Sequence, residues 1–410
     1  MCMIKSETSQ AYLAHGKPVC ILWAGKANTG MGNKVISLLM VCLMVFSLGV
    51  FAIEADELTA KSAILMEAST GMILFEKNID QQCAIASITK LMTLTIAMEK
   101  IESGEMYLDD LVVGSPTAKA VGGSTIYLEV GEKMTVDDII KGICINSGND
   151  ATIALAETIA GSEGEFVKIM NQRAGEIGLT NTNFVNCTGL DAPGHVSSAR
   201  DVALISRNIL LNHRKILDYS KIWLDSLRGG RTMLANTNQL LKDYQYATGL
   251  KTGTEDDAGY CLAATAEKDG MELIAVVLGV EDDTTRFQEA QMMLEWGYSN
   301  YQVKKIGVAG DTQASVPIKK GTVPEMDAVM KEDLSVIVPM TYADKTITEV
   351  QIEAEIPAPA AKDMKVGELI VKASDQEVGR VELILKEDVK KMTFFQALGS
   401  VFMAWFQFSF

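Results

Sequence analysis

Ala86-Ser87-Ile88-Thr89-Lys90 is the stretch on which the reading of this chain turns. Two triplets read with it, Ser147-Gly148-Asn149 and Lys251-Thr252-Gly253, in that order and far apart along 410 residues. Apolar residues at Ile88, Leu91, Met92 and Ile96, with Thr95 among them, place the first stretch at the start of a helix with one mostly apolar stripe. Residues three apart on a helix have Cβ atoms roughly 5–6 Å apart, so the Lys90 amine can reach the Ser87 hydroxyl. A hydroxyl is a poor nucleophile at neutral pH and needs a base. Histidine, the usual one, is scarce: His195 and His213 alone fall in the motif-bearing part. An ammonium accepts no proton, so Lys90 serves only if burial and a second cation depress its pKa; Lys251 is the candidate cation. A helix start also sets backbone N–H groups beside developing negative charge.

Working outward, 62–68 and 71–76 read as two strands joined at Ser69-Thr70-Gly71. Helices are expected over 136–145 and 150–159, with Ser147-Gly148-Asn149 in the break between them. Ser198-Ala199-Arg200-Asp201 has the form of a capping box opening a helix over 202–211. A second S-x-N, at Ser206, falls inside that helix and is discarded. The runs 249–254, 259–267 and 271–279, with a turn at Lys268-Asp269-Gly270, put Lys251-Thr252-Gly253 on an antiparallel strand. An amphipathic helix over 288–298 closes this unit. Beyond Asn300 the pattern becomes short alternating strands, including 349–356 and 379–385, with turns at 357–359 and Val366-Gly367. A small all-β domain without catalytic residues is the expectation.

The ends are distinctive. Residues 35–52 are an uncharged apolar run preceded by Lys34 and followed by small residues at Ala52 and Ala55, the layout of a secretory signal. A retained membrane helix is the alternative, since 18 apolar residues nearly span a bilayer. Residues 1–30 are unlike a signal start and read as an upstream extension. At the far end, Phe394, Leu398, Val401, Phe402 and Trp405 share one helical face, after Lys386, Lys390 and Lys391. A helix lying in the membrane surface is expected there; a terminal helix packed on its own domain is the other reading.

A net charge of −16 argues against nucleic acid as a partner, because phosphate binding needs a basic face. Of seven cysteines, Cys2, Cys20 and Cys42 fall in or before the signal; Cys83, Cys144, Cys187 and Cys261 are expected as buried free thiols. No Cys/His spacing suggests a metal. His195 reads as a loop residue, His213 as a solvated helix cap, Cys144 as packing under the site, and Glu255-Asp256-Asp257 as a solvated turn.

The three triplets resemble the S-x-x-K, S-x-N and K-T-G set of penicillin-binding proteins and β-lactamases. Gly189-Leu190-Asp191-Ala192-Pro193-Gly194, Ser197-Ser198-Ala199-Arg200-Asp201 and Ala258-Gly259-Tyr260 agree with it. Nearly the whole mature chain resembles a low-molecular-mass penicillin-binding protein, a serine-type D-alanyl-D-alanine carboxypeptidase like penicillin-binding protein 5. That resemblance implies an α/β (α+β) penicillin-binding fold, a small all-β C-terminal domain and a terminal amphipathic helix. It divides the chain into extension (1–30), signal (31–55), carboxypeptidase domain (56–299), β-rich domain (300–391) and membrane-anchoring helix (392–410). It implies Ser87 as the acylated nucleophile, Lys90 as its base, Ser147 as a proton relay and Asn149 as a bond to the substrate amide. Lys251, Thr252 and Arg286 would hold the terminal carboxylate, Gly253 would let the substrate backbone approach, and the N–H groups of Ser87 and Thr254 would form the oxyanion hole. Peptidoglycan stem peptides as substrate, β-lactams as inhibitors, no cofactor and an extracytoplasmic, membrane-attached site of action follow from the same likeness.

This chain departs from the family pattern twice. Some relatives carry His where Thr254 stands, and some carry Arg within the stretch Asn236-Thr237-Asn238-Gln239-Leu240-Leu241. Two rival readings remain. A β-lactamase shares the acylation groups, but the Glu-x-x-Leu-Asn element of class A enzymes is missing between 150 and 250. A non-catalytic peptidoglycan or penicillin sensor would not need an intact nucleophile and base.

Overall fold

In the computed structural model, residues 55–399 are described. The signal and extension, and Val401, Phe402 and Trp405 of the terminal helix, lie outside them. Strands β1 (Ser62–Glu67) and β2 (Ile73–Lys77) form where the sequence predicts. Four helices that carry or support the site follow: α1 (Lys90–Glu102), α2 (Val136–Asn146), α3 (Asn149–Ala160) and α4 (Ala199–Asn212). Strands β3 (Ala247–Glu255), β4 (Gly259–Lys268) and β5 (Met271–Val280), then α5 (Asp283–Asn300), complete the motif-bearing part.

The five strands are antiparallel in the order β2-β1-β5-β4-β3. The N-terminal strand β1 lies inside the sheet between β2 and β5, and β3, with the Lys-Thr-Gly triplet, is an edge. Alternation decides which layer each side chain joins. Ile64, Met66, Ile274, Val276 and Leu278 pack with α1 to α4 on one face. Ala63, Leu65, Leu273, Ala275 and Val277 pack with Phe287, Ala290, Met293 and Leu294 of α5 on the other. The sheet is thus covered on both faces, which is why β5 reads as an almost unbroken apolar run.

Capping fixes the helix starts. Ser198 Oγ accepts the Asp201 N–H at 3.2 Å, as the capping box predicts. Ser206 is a buried interior residue of α4, with its hydroxyl on Val202 O. The helix expected from Ser87 begins instead as a 3-10 turn, Ala86–Thr89, and becomes α-helical at Lys90. Ala86 takes a left-handed φ of 46° there, which a regular helix does not allow.

Beyond Tyr301 the chain is strands and one 3-10 turn until Thr393, with a helix opening at Phe394. A two-stranded pair (Tyr301–Gly307 with Leu334–Pro339) accompanies a six-stranded sheet. Two details differ from expectation. The run 349–356 is broken into Thr346–Ile352 and Ile356–Pro357, because the second piece pairs with a different strand, 312–319. Val366-Gly367 is no turn but a bulge near the start of the strand Lys365–Ala373. Phe394 and Phe395 are exposed at the start of the terminal helix. Among the described residues no helix is long and apolar enough to cross a membrane.

Candidate active site

The turn before α1 aims Ser87 at a buried lysine. Lys90 Nζ lies 2.7 Å from Ser87 Oγ and donates to Thr188 O at 2.7 Å. Lys90 is fully buried, and burial, followed by the nearby Lys251 charge, holds its pKa well below that of an ordinary lysine. Lys251 is itself buried on β3, where its Nζ donates to Thr252 O at 3.0 Å. Burial pushes it down to about 7.

The second triplet bridges α2 and α3. Ser147 ends α2 in the left-handed conformation, φ 59°, and is buried; its Oγ has no partner among the described residues. Asn149 Nδ2 donates to Gly122 O at 2.8 Å, while its Oδ1 has no partner among them. Buried polar atoms without partners are rare in protein interiors. Here two sit within one triplet. The adjoining Asp150 carboxylate accepts the N–H groups of Ile126 and Leu128, so 122–128 is tied down over the start of α3.

The third triplet is packed against the first. A Cβ on Gly253 would lie 2.6 Å from Ile85 O and 3.1 Å from Ala86 Cβ, so this glycine lets β3 meet the turn that bears Ser87. That contact was not foreseen; substrate approach alone was the expected reason. Thr252 Oγ1 shares a 2.6 Å hydrogen bond with Thr237 Oγ1, and Thr237 N–H donates to Ile145 O of α2 at 3.3 Å. Arg286, buried at the start of α5, donates to Gly253 O and Thr254 Oγ1, each at 3.0 Å, and pairs with Asp283. Burial lowers the Arg286 pKa, but an arginine stays charged at neutral pH. Because a guanidinium only donates, the Thr254 hydroxyl proton is left free to point elsewhere.

Upstream of the triplet, β3 is covered: Asn238 Nδ2 donates to Gly249 O at 3.0 Å. From Lys251 onward the strand pairs only with β4, leaving its outer edge without a ladder. The stretch 189–194 also joins the site. Gly189 has φ 89°, and a Cβ there would lie 1.9 Å from Ala86 O, so only glycine fits against the turn that bears Ser87.

The structure thus gathers Ser87, Lys90, Lys251, Thr252, Gly253, Thr254 and Arg286 around the open half of β3. Ser147 and Asn149 connect to the same region through Thr237 and through the neighbours of Gly123, which are Asn149 and Leu190. The sequence reading missed Thr188 and Thr237. Thr188 acts through its main chain and carries no side-chain signal; Thr237 stands in the stretch noted only for its missing arginine.

Neither histidine is a base for Ser87. His195 is buried, its Nδ1 accepting the Val185 N–H at 3.1 Å and its Nε2 2.7 Å from Thr89 Oγ1. Burial pushes its pKa down to about 4, so the ring is neutral and donates to Thr89. His213 does end α4, but it is buried on Glu102 at 2.7 Å rather than solvated. Cys83, Cys144, Cys187 and Cys261 are free; the last three are buried and Cys83 is half-buried. Cys144 packs beneath the site, pushed up to about 12 by burial, and stays a thiol.

The family profile for D-alanyl-D-alanine carboxypeptidases matches residues 50–282. The chain belongs to the D-alanyl-D-alanine carboxypeptidase family. The profile for the C-terminal domain of penicillin-binding protein 5 matches residues 301–391. D-alanyl-D-alanine carboxypeptidase DacF of Bacillus subtilis is 37% identical over 388 residues, 92% of this chain and all of the relative. DacC of Escherichia coli is 34% identical, over 84% of this chain and 87% of its own. Penicillin-binding protein 5 of Haemophilus influenzae superposes with a TM-score of 0.77 at 29% identity, covering 83% of this chain and 100% of that one. Penicillin-binding protein D2 of Listeria monocytogenes in its ampicillin-bound form gives 0.55 at 31% identity, covering 59% and 98%. This carboxypeptidase is accordingly a serine-type hydrolase with the penicillin-binding fold, and neither the β-lactamase nor the non-catalytic reading is favoured.

Proposed function

We propose that this carboxypeptidase removes the terminal D-alanine of peptidoglycan stem peptides through an acyl-enzyme on Ser87. The observation that carries the reading is the 2.7 Å contact between Ser87 Oγ and a buried, charge-depressed Lys90. Lys90 takes the hydroxyl proton as Ser87 Oγ attacks the peptide carbonyl, and Ser147 relays that proton to the departing D-alanine amine. The substrate joins the open half of β3 as an added strand, held by main-chain bonds. Asn149 binds its amide, the Ser87 and Thr254 N–H groups hold the oxyanion, and Lys251, Thr252 and Arg286 attract the carboxylate. Gly253 keeps that edge close to the nucleophile. Arriving carboxylate charge raises the Lys251 pKa; a charged Lys251 in turn keeps Lys90 neutral. Binding thereby readies the base.

The proposal extends to the rest of the chain. Residues 31–55 direct export, 56–299 catalyse, 300–391 space the catalytic part from the membrane, and 392–410 lie in the membrane surface. The exposed Phe394 and Phe395 and the preceding lysines support that placement, on the outer face of the cytoplasmic membrane, with cell-wall shaping as the role. Incubation with a Lys-D-Ala-D-Ala peptide should release D-alanine, and penicillin should block it. No release, or penicillin freed within seconds of labelling Ser87, would overturn the peptidase reading in favour of a sensor or a lactamase.

A further inference from the structure

The carbonyl that holds Lys90 belongs to a turn whose main-chain groups are fastened one after another. Asn186 Oδ1 accepts from Thr188 N–H at 3.2 Å, Thr188 Oγ1 at 3.1 Å and Gly189 N–H at 2.7 Å. Asn186 Nδ2 donates to Leu190 O at 2.8 Å. Between these, Cys187 O accepts from Thr93 Oγ1 at 3.0 Å, and Cys187 N–H donates to Glu163 Oε1 at 3.1 Å. One amide side chain therefore ties both ends of the turn. On one side the turn meets Lys90; on the other, through Gly189, it rests on Ala86.

A neutral amine has two N–H donors and one lone pair. When Thr188 O captures one N–H, the lone pair can face the Ser87 hydroxyl proton; once Lys90 is an ammonium, the same carbonyl stabilises it. A carbonyl orients an amine only if its own direction is fixed. We propose that Asn186 is a positioning residue for acylation: its amide fixes the Thr188 carbonyl so that the Lys90 lone pair points at Ser87. In the step it supports, the Lys90 lone pair takes the Ser87 proton as the Ser87 oxygen bonds to the peptide carbonyl carbon. The proton then leaves with the D-alanine amine as the C–N bond breaks. Asn186 acts through the Thr188 carbonyl: its own hydrogen bonds go to Thr188, Gly189 and Leu190. The inference rests on Ser87 and Lys90 acting as nucleophile and base.

Three groups bear electrostatically on Lys90 from the elements around it: Lys251 on β3, Glu255 at the end of β3 and the Cys187 thiol on the turn itself. Glu163 stands behind Cys187. Substituting Asn186 removes none of these four side chains, so a shift in the rate profile reports the turn and its carbonyl.

The experiment measures D-alanine release by the full chain from a Lys-D-Ala-D-Ala peptide across pH, with active sites counted by labelled penicillin. Asn186→Ala should lower kcat on the order of 10- to 100-fold, leave KM nearly unchanged, and move the acid limb to lower pH, because the ammonium loses its fixed acceptor. Asn186→Asp keeps the acceptor and should restore most of kcat, while its charge moves the acid limb to higher pH. An Asn186→Ala enzyme with the parent's kcat, or one that merely melts earlier with its acid limb unmoved, overturns the inference. If Asn186→Ala does not fold, Asn186→Asp decides, and an acid limb that stays put or falls overturns it. Ser87→Ala separates the two levels. Release that survives Ser87→Ala overturns the underlying reading, whereas release lost there beside a normal Asn186→Ala overturns this inference alone.

Discussion

Lysines beside Ser87 and lysines on the β-rich part beyond Asn300 are treated in opposite ways. Lys90 and Lys251 are buried, and neither has a carboxylate partner among the described residues. Both are pushed down in pKa. Lys331, Lys372 and Lys386 are solvent-facing and each meets a carboxylate: Glu382 at 2.6 Å, Glu349 at 2.5 Å and Asp327 at 2.9 Å. All three are pushed up. Paired surface charges are worth little because water screens them, whereas unpaired buried ones are expensive and persist where chemistry needs them. The contrast separates a region that keeps unpaired charge buried from one that pairs its charges at the surface.

The sharpest way to break that contrast is to remove the reactive pair. Ser87→Ala and Lys90→Ala should each abolish both D-alanine release and penicillin labelling; turnover above about a thousandth of the parent rate would show that the pair is not the engine. Gly189→Ala comes next. Its methyl group would fall on Ala86 O, so the turn must shift, and acylation should drop on the order of 100-fold with a lower Tm. An unchanged acylation rate would mean the turn tolerates movement.

Lys251→Met tests the cost of a buried charge directly. A lysine lowered from 10.5 to about 7 binds fewer protons folded than unfolded between those values, so stability rises with pH across that window. Below about pH 7 the full penalty is present, at most about 4–5 kcal/mol. Lys251→Met should therefore raise Tm at neutral pH, gain less as pH approaches 10, and lose kcat/KM. A lower Tm at pH 7 would show that the charge is compensated. In the parent, kcat/KM should fall at acid pH as Lys90 gains its proton and at alkaline pH, from about 7 upward, as Lys251 loses its own.

Thr237→Val, which removes the partner of the Thr252 hydroxyl, should cost about ten-fold in kcat/KM, and an unaffected KM would argue against a carboxylate role for Thr252. Lys331→Ala anchors the other side of the comparison. It should leave kcat, KM and Tm indistinguishable from the parent, and any loss of activity would link the two halves.

Much of this was legible because catalysis demands particular residue types at particular spacings. Ser87 and Lys90 announced themselves, and the apolar runs 62–67 and 271–280 gave strands whose alternation sorts the two layers. What stayed hidden depends on partners remote in sequence. The Thr188 carbonyl has no letter of its own, and the Glu102 that buries His213 lies 111 residues away. The break after Ile352 arises because two pieces of one alternating run pair with different strands. Gly253 was legible as part of its triplet, but its packing against Ile85 and Ala86 was not, because those neighbours lie far away in sequence.

Strand β3 is sealed upstream by Asn238 and bare from Lys251 onward. A long naked sheet rim invites another protein's strand, and with it uncontrolled self-association. Here the uncovered length is only the run from Lys251 to Glu255, so the rim open to a foreign strand is short.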